Sequence, residues 1–151
     1  MTLFRSILAA FALFLTFAAA APAEAREWRV QMLNRSTSGG VPMVFEPAFI
    51  AIQPGDTVRF VPTQRGHNAE SIPGMMPAGA TPFRGRIDQE IVVRFTVPGL
   101  YGYKCLPHLG MGMVGLIQVG RATNRVDFTA AANRLPGLGK RNMLQMLSRV
   151  R

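Results

Sequence analysis

Short runs of alternating apolar and polar residues, each ended by turn-forming residues, constrain the fold of this chain more than any other feature. Trp28, Val30 and Met32 alternate with Arg29 and Gln31, which is the period of a half-buried strand. Further strand-like segments are Ala48–Ile52, Thr57–Val61, Ile91–Thr96, Leu100–Lys104 and Val114–Val119, with turns at Pro54–Asp56 and Pro98–Gly99. Strands this short and turns this frequent predict an all-β domain, an antiparallel β-sandwich of Greek-key topology.

The C-terminal segment has a different character, and we predict two short helices there. The chain is Ala-rich from Asn124 to Arg134, and Leu135-Pro136-Gly137 interrupts it. Leu144, Leu147 and Val150 then follow at helical spacing. We expect these helices to cover the sheet rather than to serve as a binding device.

The N-terminal residues 1–25 have the features of a secretory signal peptide. Arg5 supplies a positive charge, Ile7–Ala21 is apolar, and Ala23-Glu24-Ala25 fits a small-x-small cleavage pattern. An uncleaved membrane anchor is the alternative, but the apolar run is short for a span, which needs about 20 residues. We predict export from the cytoplasm and cleavage near Ala25, with Ala21 as a possible earlier site, and no membrane span in the mature form.

Cleavage would leave 126 of the 151 residues, which is enough for one domain and too few for two. Residues 26–120 are the predicted β-sandwich, and 121–151 are a helical extension of the same domain. Cys105 is the only cysteine, so the fold contains no internal disulfide. A lone thiol in an oxidising compartment is a liability unless something binds it.

The chain is strongly basic, with 17 Lys and Arg residues against 8 Asp and Glu and a net charge of +9. Such a charge predicts attraction to an acidic partner protein, a membrane surface or nucleic acid. Export argues against nucleic acid, as does the scatter of the Arg residues along the chain. A well-hydrated surface would have the same composition, so charge alone does not decide between these readings.

Two histidines, one cysteine and a nearby methionine form a pattern that is typical of a metal site. Cys105 and His108 lie three residues apart, Met113 lies five residues beyond His108, and His67 lies 38 residues before Cys105. A thiolate, two imidazoles and a weakly held thioether are the ligand set of a type 1 copper site. We therefore predict one copper ion that cycles between Cu(I) and Cu(II), with His67, Cys105, His108 and Met113 as its ligands.

Other interpretations of these residues are weaker. A lone Cys is commonly a buried core residue, and the chain contains nine Met residues, so one of them near a site could be chance. Structural zinc prefers several Cys or His ligands without a thioether. Cys–His nucleophilic catalysis would need a third, orienting group that the sequence does not offer, so we predict that the protein is not an enzyme.

Several motifs of the sequence resemble those of a known family. The stretch from Tyr101 to Gly115 looks like the copper loop of the pseudoazurins, which are plastocyanin-like cupredoxins, and Gly66-His67-Asn68, Met43–Pro47 and Pro54–Thr57 match in the same order. The resemblance implies the same four copper ligands, an eight-stranded cupredoxin sandwich and periplasmic electron transfer. It also implies partners such as copper-containing nitrite reductase or another denitrification enzyme.

The chain departs from the family pattern at a few positions, which leave the ligands intact and leave the partner open. Leu106 and Leu109 stand where a Thr and often an aromatic residue are expected, and Val41-Pro42 is an addition before Met43. Around the site the family is usually rich in Lys, whereas this chain uses Arg almost throughout. The alternative function from another class is a periplasmic copper carrier or buffer. Copper reductase chemistry would need more histidines than these two.

We predict that His108 is the port through which the electron leaves, inside an apolar collar and a basic ring. Apolar contact at the port excludes water, and a small interface allows rapid release of the partner in a transient complex. A basic ring would speed the encounter with an acidic redox partner. The collar candidates are Met43, Pro107, Leu109 and Met111, and the ring candidates are Arg65, Arg84, Arg86 and Lys104.

Two neighbours of the ligands are expected to tune the site. The backbone N–H of Asn68 is well placed in the sequence to donate to the Cys105 sulfur, and its side chain could join the two ligand loops. Pro107 has no N–H, so the thiolate has one potential donor fewer.

Overall fold

The computed structural model describes residues 24–151, which form eight strands followed by two helices. The strands are β1 (Glu27–Arg35), β2 (Pro42–Glu46), β3 (Phe49–Ile52), β4 (Thr57–Val61), β5 (Glu70–Ser71), β6 (Ile91–Arg94), β7 (Gly99–Lys104) and β8 (Val114–Val119), and the helices are α1 (Arg125–Ala132) and α2 (Gly137–Leu147). The predicted signal peptide lies outside the described residues, except for Glu24 and Ala25. Within the described part, none of the helices is both long enough and apolar enough to cross a membrane.

The strands form two four-stranded sheets, with the orders β2-β1-β4-β6 and β3-β8-β7-β5. The predicted all-β sandwich with two C-terminal helices is therefore confirmed. Most neighbouring strands are antiparallel, but β1 pairs with β4 and β3 pairs with β8 in parallel. The chain changes sheet between β2 and β3 and again between β3 and β4, and these crossovers allow strands of the same direction to become neighbours.

The alternating sequence pattern explains the core between the two sheets. Val30 and Met32 on β1 are fully buried, whereas Arg29, directly before Val30, is exposed. Phe60 on β4 and Tyr103 on β7 meet in this core, with ring centroids 5.0 Å apart in an edge-to-face arrangement. These side chains fill the space between the two sheets.

β7 and β8 are buried on both faces because the helices cover their outer side. Phe128 of α1 and Met143 of α2 are fully buried against Leu100 and Leu116 of these strands. The helices thus serve as cover for the sheet, as predicted, and α2 also reaches the loop between β7 and β8. There Leu138 N donates to the Gly110 carbonyl at 3.3 Å.

A buried carboxylate lies at the end of the sandwich where β1 and β4 begin. Asp56, in the turn before β4, is 4% exposed. Its Oδ1 accepts from Arg26 N at 2.9 Å, and its Oδ2 accepts from Trp28 Nε1 and Gln53 N, each at 3.0 Å. These donors offset the cost of burying the charge, and they fix the start of β1 beside β4.

Candidate metal centre

Two loops at one end of the sandwich bring the predicted ligands together. His67 lies between β4 and β5, Cys105 directly follows β7, and His108 and Met113 lie before β8. The ligand atoms of His67, Cys105 and His108 all lie within 4.8 Å of one another. Cys105 Sγ is 3.7 Å from His67 Nδ1 and 3.4 Å from His108 Nδ1, and the two Nδ1 atoms are 3.2 Å apart.

These distances fit donors that share one metal ion. Imidazole nitrogens and thiolates bond to a metal at about 2.0 and 2.3 Å, so donors on one ion stand about 3 to 4 Å apart. A soft thiolate with two imidazoles suits copper better than it suits Mg²⁺ or Ca²⁺, which prefer oxygen. The residues present therefore fit the predicted ion.

Asn34, at the end of β1, fixes the tautomer of His67, a role that no sequence pattern indicates. Its Oδ1 lies 2.8 Å from His67 Nε2. Because a carbonyl oxygen only accepts, Nε2 carries the proton and Nδ1 keeps its lone pair for a metal. The two residues are 33 positions apart and meet only because β1 and β4 are neighbours.

The loop from Cys105 to Met113 is closed by its own backbone. Cys105 N donates to the Met113 carbonyl at 3.0 Å, and Met113 N donates to the His108 carbonyl at 3.1 Å. Gly112 allows this closure with a φ of +93°, a conformation that favours glycine. Asn142 of α2 donates from Nδ2 to the Gly112 carbonyl at 2.9 Å. Met113 is fully buried in the same apolar cluster as Cys105.

Burial determines the charge of the donors. Burial lowers the pKa of His67, and the nearby His108 lowers it further, so the ring is neutral, as a metal ligand must be. Burial raises the pKa of the Cys105 thiol, although the backbone N–H groups of Asn68 and His108 oppose this shift. A bound metal cation deprotonates such a thiol.

Asn68 joins the two ligand loops, and Pro107 lies between two of the predicted ligands. Asn68 Oδ1 accepts from Leu106 N at 2.7 Å, and its backbone N–H lies against the Cys105 sulfur. Pro107 is exposed beside His108, and it offers no N–H to the sulfur.

The predicted collar residues are apolar and at least partly exposed. His108 is half-buried, as are Leu109 and Met43, and Met111 is 47% exposed. Leu106, which the prediction of the collar omitted, is also 47% exposed. Its position directly after a ligand, where this chain departs from the family pattern, was the signal that could have included it.

The four predicted ring residues differ in how far acids neutralise them. Arg65 is almost fully exposed, 3.6 Å from Asp88. Arg84 and Lys104 both pair with Glu70, at 3.2 and 3.4 Å, and the Lys104 side chain is only 17% exposed. Arg86 is exposed, and it has no ion pair within the described residues.

Comparison with known proteins agrees with this geometry. Residues 30–120 match the family of copper binding proteins, plastocyanin/azurin family. The chain is 45% identical over 148 residues to the pseudoazurin of Paracoccus pantotrophus, which covers 98% of this chain and 99% of the relative. It is 48% identical over 127 residues to the pseudoazurin of Methylorubrum extorquens, with 84% of each chain covered.

A solved structure of the same kind has the same fold. Native pseudoazurin from Hyphomicrobium denitrificans superposes with a TM-score of 0.75 at 39% identity, over 83% of this chain and 98% of that one. With the family match and the relatives of nearly equal length, this chain belongs to the pseudoazurins, copper-binding electron carriers of cupredoxin fold that are not enzymes.

Proposed function

We propose that the protein is a periplasmic one-electron carrier that holds one copper ion through His67, Cys105, His108 and Met113. The convergence of three buried or half-buried donor atoms within 4.8 Å carries this proposal. When bound, copper accepts and releases one electron at a time. The protein's part is to fix the donors in both oxidation states, so that little rearrangement accompanies the transfer.

Each element around the site contributes to that rigidity. Asn34 accepts a hydrogen bond from His67 Nε2, the ring nitrogen that does not face Cys105, and Asn68 joins the His67 loop to the Cys105 loop. Asn142 holds the backbone directly before Met113. Of the two histidine ligands, His67 is fully buried and His108 is only half-buried, so the electron enters and leaves through His108.

The absorption and EPR spectra of the protein loaded with Cu(II) test the site. We expect an intense thiolate-to-copper band and a narrow hyperfine splitting, and we expect Cys105→Ser to abolish both. Met75→Leu is a control for the loss of a buried sulfur away from the site, because Met75 is fully buried in the core beneath the helices rather than beside Cys105. A Cys105→Ser protein that keeps the colour would disprove the ligand set.

The partner is an acidic redox enzyme, for which copper nitrite reductase or another denitrification enzyme is the first choice. Support comes from the exposed apolar residues around His108 and from the positive charge beside them. The four ring residues outnumber the two acids that pair with them, Glu70 and Asp88. Encounter steered by opposite charges slows as salt rises.

Two charge variants measure the steering. Arg86→Gln removes a ring charge, whereas Arg121→Gln removes the same charge just beyond the far end of β8. We expect electron transfer to the partner to slow with ionic strength, and Arg86→Gln to lower the low-salt rate more than Arg121→Gln. Equal rates for the two variants would exclude a docking role for Arg86.

Copper carriage is the competing function. A carrier exchanges its ion readily, whereas His67, Cys105 and Met113 are all fully buried. We expect slow loss of copper to a chelator together with fast electron self-exchange between Cu(I) and Cu(II) forms. The opposite combination would favour the carrier.

Export is part of the proposal and has its own test. N-terminal sequencing of the protein recovered from the periplasm is expected to begin at Arg26. A protein that starts at Met1 and stays in the cytoplasm would contradict export.

A further inference from the structure

Glu70 is a buried acid on β5 that the function described so far does not use. Its side chain is 10% exposed, and its carboxylate contacts Arg84 Nε at 3.2 Å and Lys104 Nζ at 3.4 Å. The β5–β7 pairing places Glu70 directly opposite Lys104, the residue before Cys105. A carboxylate held by two cations and the register of a sheet has little freedom to move.

The carboxylate also contacts the residue that joins the ligand loops. Asn68 Nδ2 donates to Glu70 Oε2 at 3.2 Å and to the Gly85 carbonyl at 3.2 Å. On its other side, Asn68 Oδ1 accepts from Leu106 N at 2.7 Å. The buried amide is therefore satisfied by two acceptors at its nitrogen and one donor at its oxygen.

This arrangement permits only one orientation of the Asn68 amide. If the amide were flipped, its oxygen would face two acceptors and its NH₂ group would face the Leu106 N–H. The buried groups would then have no partners, which costs free energy for each of them. Without the Glu70 acceptor, one of the three contacts that set the observed orientation is lost.

We propose that Glu70 is a positioning residue for the copper centre, which locks the Asn68 amide and thereby the contact between the His67 and Cys105 loops. The readout at the metal rests on the proposed ligand set, whereas the readout at Asn68 in the copper-free protein does not. Glu70 acts on the site in two ways, through the orientation of Asn68 and through its negative charge, which favours Cu(II).

Two substitutions separate these effects. Glu70→Gln removes the charge but keeps an oxygen that accepts from Asn68, whereas Glu70→Ala removes both. Glu27→Gln is the matched control for charge, because Glu27 is an exposed, ion-paired acid at the start of β1. It lies seven residues from Asn34 along that strand, roughly 23 Å away at about 3.3 Å per residue.

The first experiment measures hydrogen exchange of the Asn68 side-chain amide by NMR in the copper-free protein. We expect both amide protons to be protected in the unsubstituted protein and in Glu70→Gln, and to exchange about fivefold faster in Glu70→Ala, the size expected for one net hydrogen bond. An unprotected amide in the unsubstituted protein would overturn the proposal without any variant.

The second experiment measures the reduction potential of the copper-loaded proteins. We expect Glu70→Gln to raise the potential relative to Glu27→Gln, and Glu70→Ala to raise it further and to alter the thiolate-to-copper band. Equal potentials and spectra for Glu70→Gln and Glu70→Ala would mean that Glu70 affects the copper only through its charge. That result would overturn the positioning role. If Cys105→Ser keeps the colour while Asn68 behaves as expected, the ligand set fails and the role of Glu70 in orienting Asn68 stands.

Discussion

The hydroxyl of Tyr103 is expected to weaken the fold, so that its removal stabilises the protein. Tyr103 is fully buried between the sheets, and its Oη has no hydrogen-bond partner among residues 24–151. Burial without a partner raises the pKa of the phenol far above its usual range. The ring itself packs edge-on against Phe45 and Phe60, with centroids at 4.7 and 5.0 Å, and these contacts need no oxygen.

The size of the gain follows from that environment. A buried hydroxyl without a partner costs about 1–3 kcal/mol. The void left by one oxygen atom costs about 0.3 kcal/mol at roughly 24 cal/mol per Å³. Tyr103→Phe should therefore raise the free energy of unfolding by about 1 kcal/mol.

Tyr101 offers a control with the same chemical change and the opposite sign. Its hydroxyl donates to the Val97 carbonyl at 2.7 Å, and its ring packs on Phe95 at 4.9 Å. Tyr101→Phe loses that hydrogen bond and should lower the free energy of unfolding by about 1 kcal/mol. The two variants should thus differ by about 2 kcal/mol, although each removes one oxygen atom.

Urea unfolding of the copper-free proteins measures both effects. With an m value of about 2 kcal/mol per molar, each change moves the midpoint by about 0.5 M, upward for Tyr103→Phe and downward for Tyr101→Phe. A Tyr103→Phe protein that is destabilised as much as Tyr101→Phe would refute the reasoning, because the hydroxyl would then have a partner that stabilises it.

Three further predictions concern the copper potential, the core and the response to acid. Pro107→Ala adds an N–H beside the thiolate and should raise the reduction potential, as measured by voltammetry; an unchanged or lower potential in an intact site would count against it. Gly115→Ala should cost about 3 kcal/mol in urea unfolding, because its Cβ would overlap the ring of Tyr103; a loss below 1 kcal/mol would show that the ring moves aside easily. Burial alone would raise the pKa of Asp56, but its three hydrogen-bond donors outweigh burial, and the folded pKa lies below 3.8. The stabilisation by these bonds is therefore present above pH 3.8 and is lost as the pH falls through the lower folded value; Asp56→Asn should flatten this acid-side decline, and an unchanged slope would contradict the assignment.

Local pattern was enough to predict most of the sandwich. Alternation in β1 and the turn before β4 depend only on neighbouring residues, so the strand at Thr57–Val61 was predicted with the bounds that the structure gives. Strands β2 and β5 were not predicted. β5 has two residues, and its register comes from pairing with β7, which the local sequence does not encode.

The candidate site also has a part that local sequence predicts and a part that depends on the sheet. Residue types and spacing suffice to propose His67, Cys105, His108 and Met113 as ligands, because few other combinations bind a soft metal, and the structure brings His67, Cys105 and His108 together. Nothing in the sequence marks Asn34, since its contact with His67 is made by the sheet.

The basic ring shows a second limit of local pattern. Counting charges treats Lys104 as a free cation, but the sheet places it opposite Glu70 and leaves its side chain only 17% exposed. Which charges remain available to a partner depends on such tertiary pairs.

If the chain is cut after Ala25 as proposed, the contact between Asp56 and Arg26 would link that cut to the stability of the fold. In a chain cut after Ala25, the nitrogen 2.9 Å from Asp56 Oδ1 is the α-amino group, which is cationic below a pH of about 7.7 to 8. Asp56 takes part in none of the ion pairs within residues 24–151, so the cut would supply its counter-ion. The cut would convert a hydrogen bond between a carboxylate and a neutral N–H into an ion pair, whose Coulomb attraction is stronger, and the leader-bearing precursor is then the less stable of the two forms.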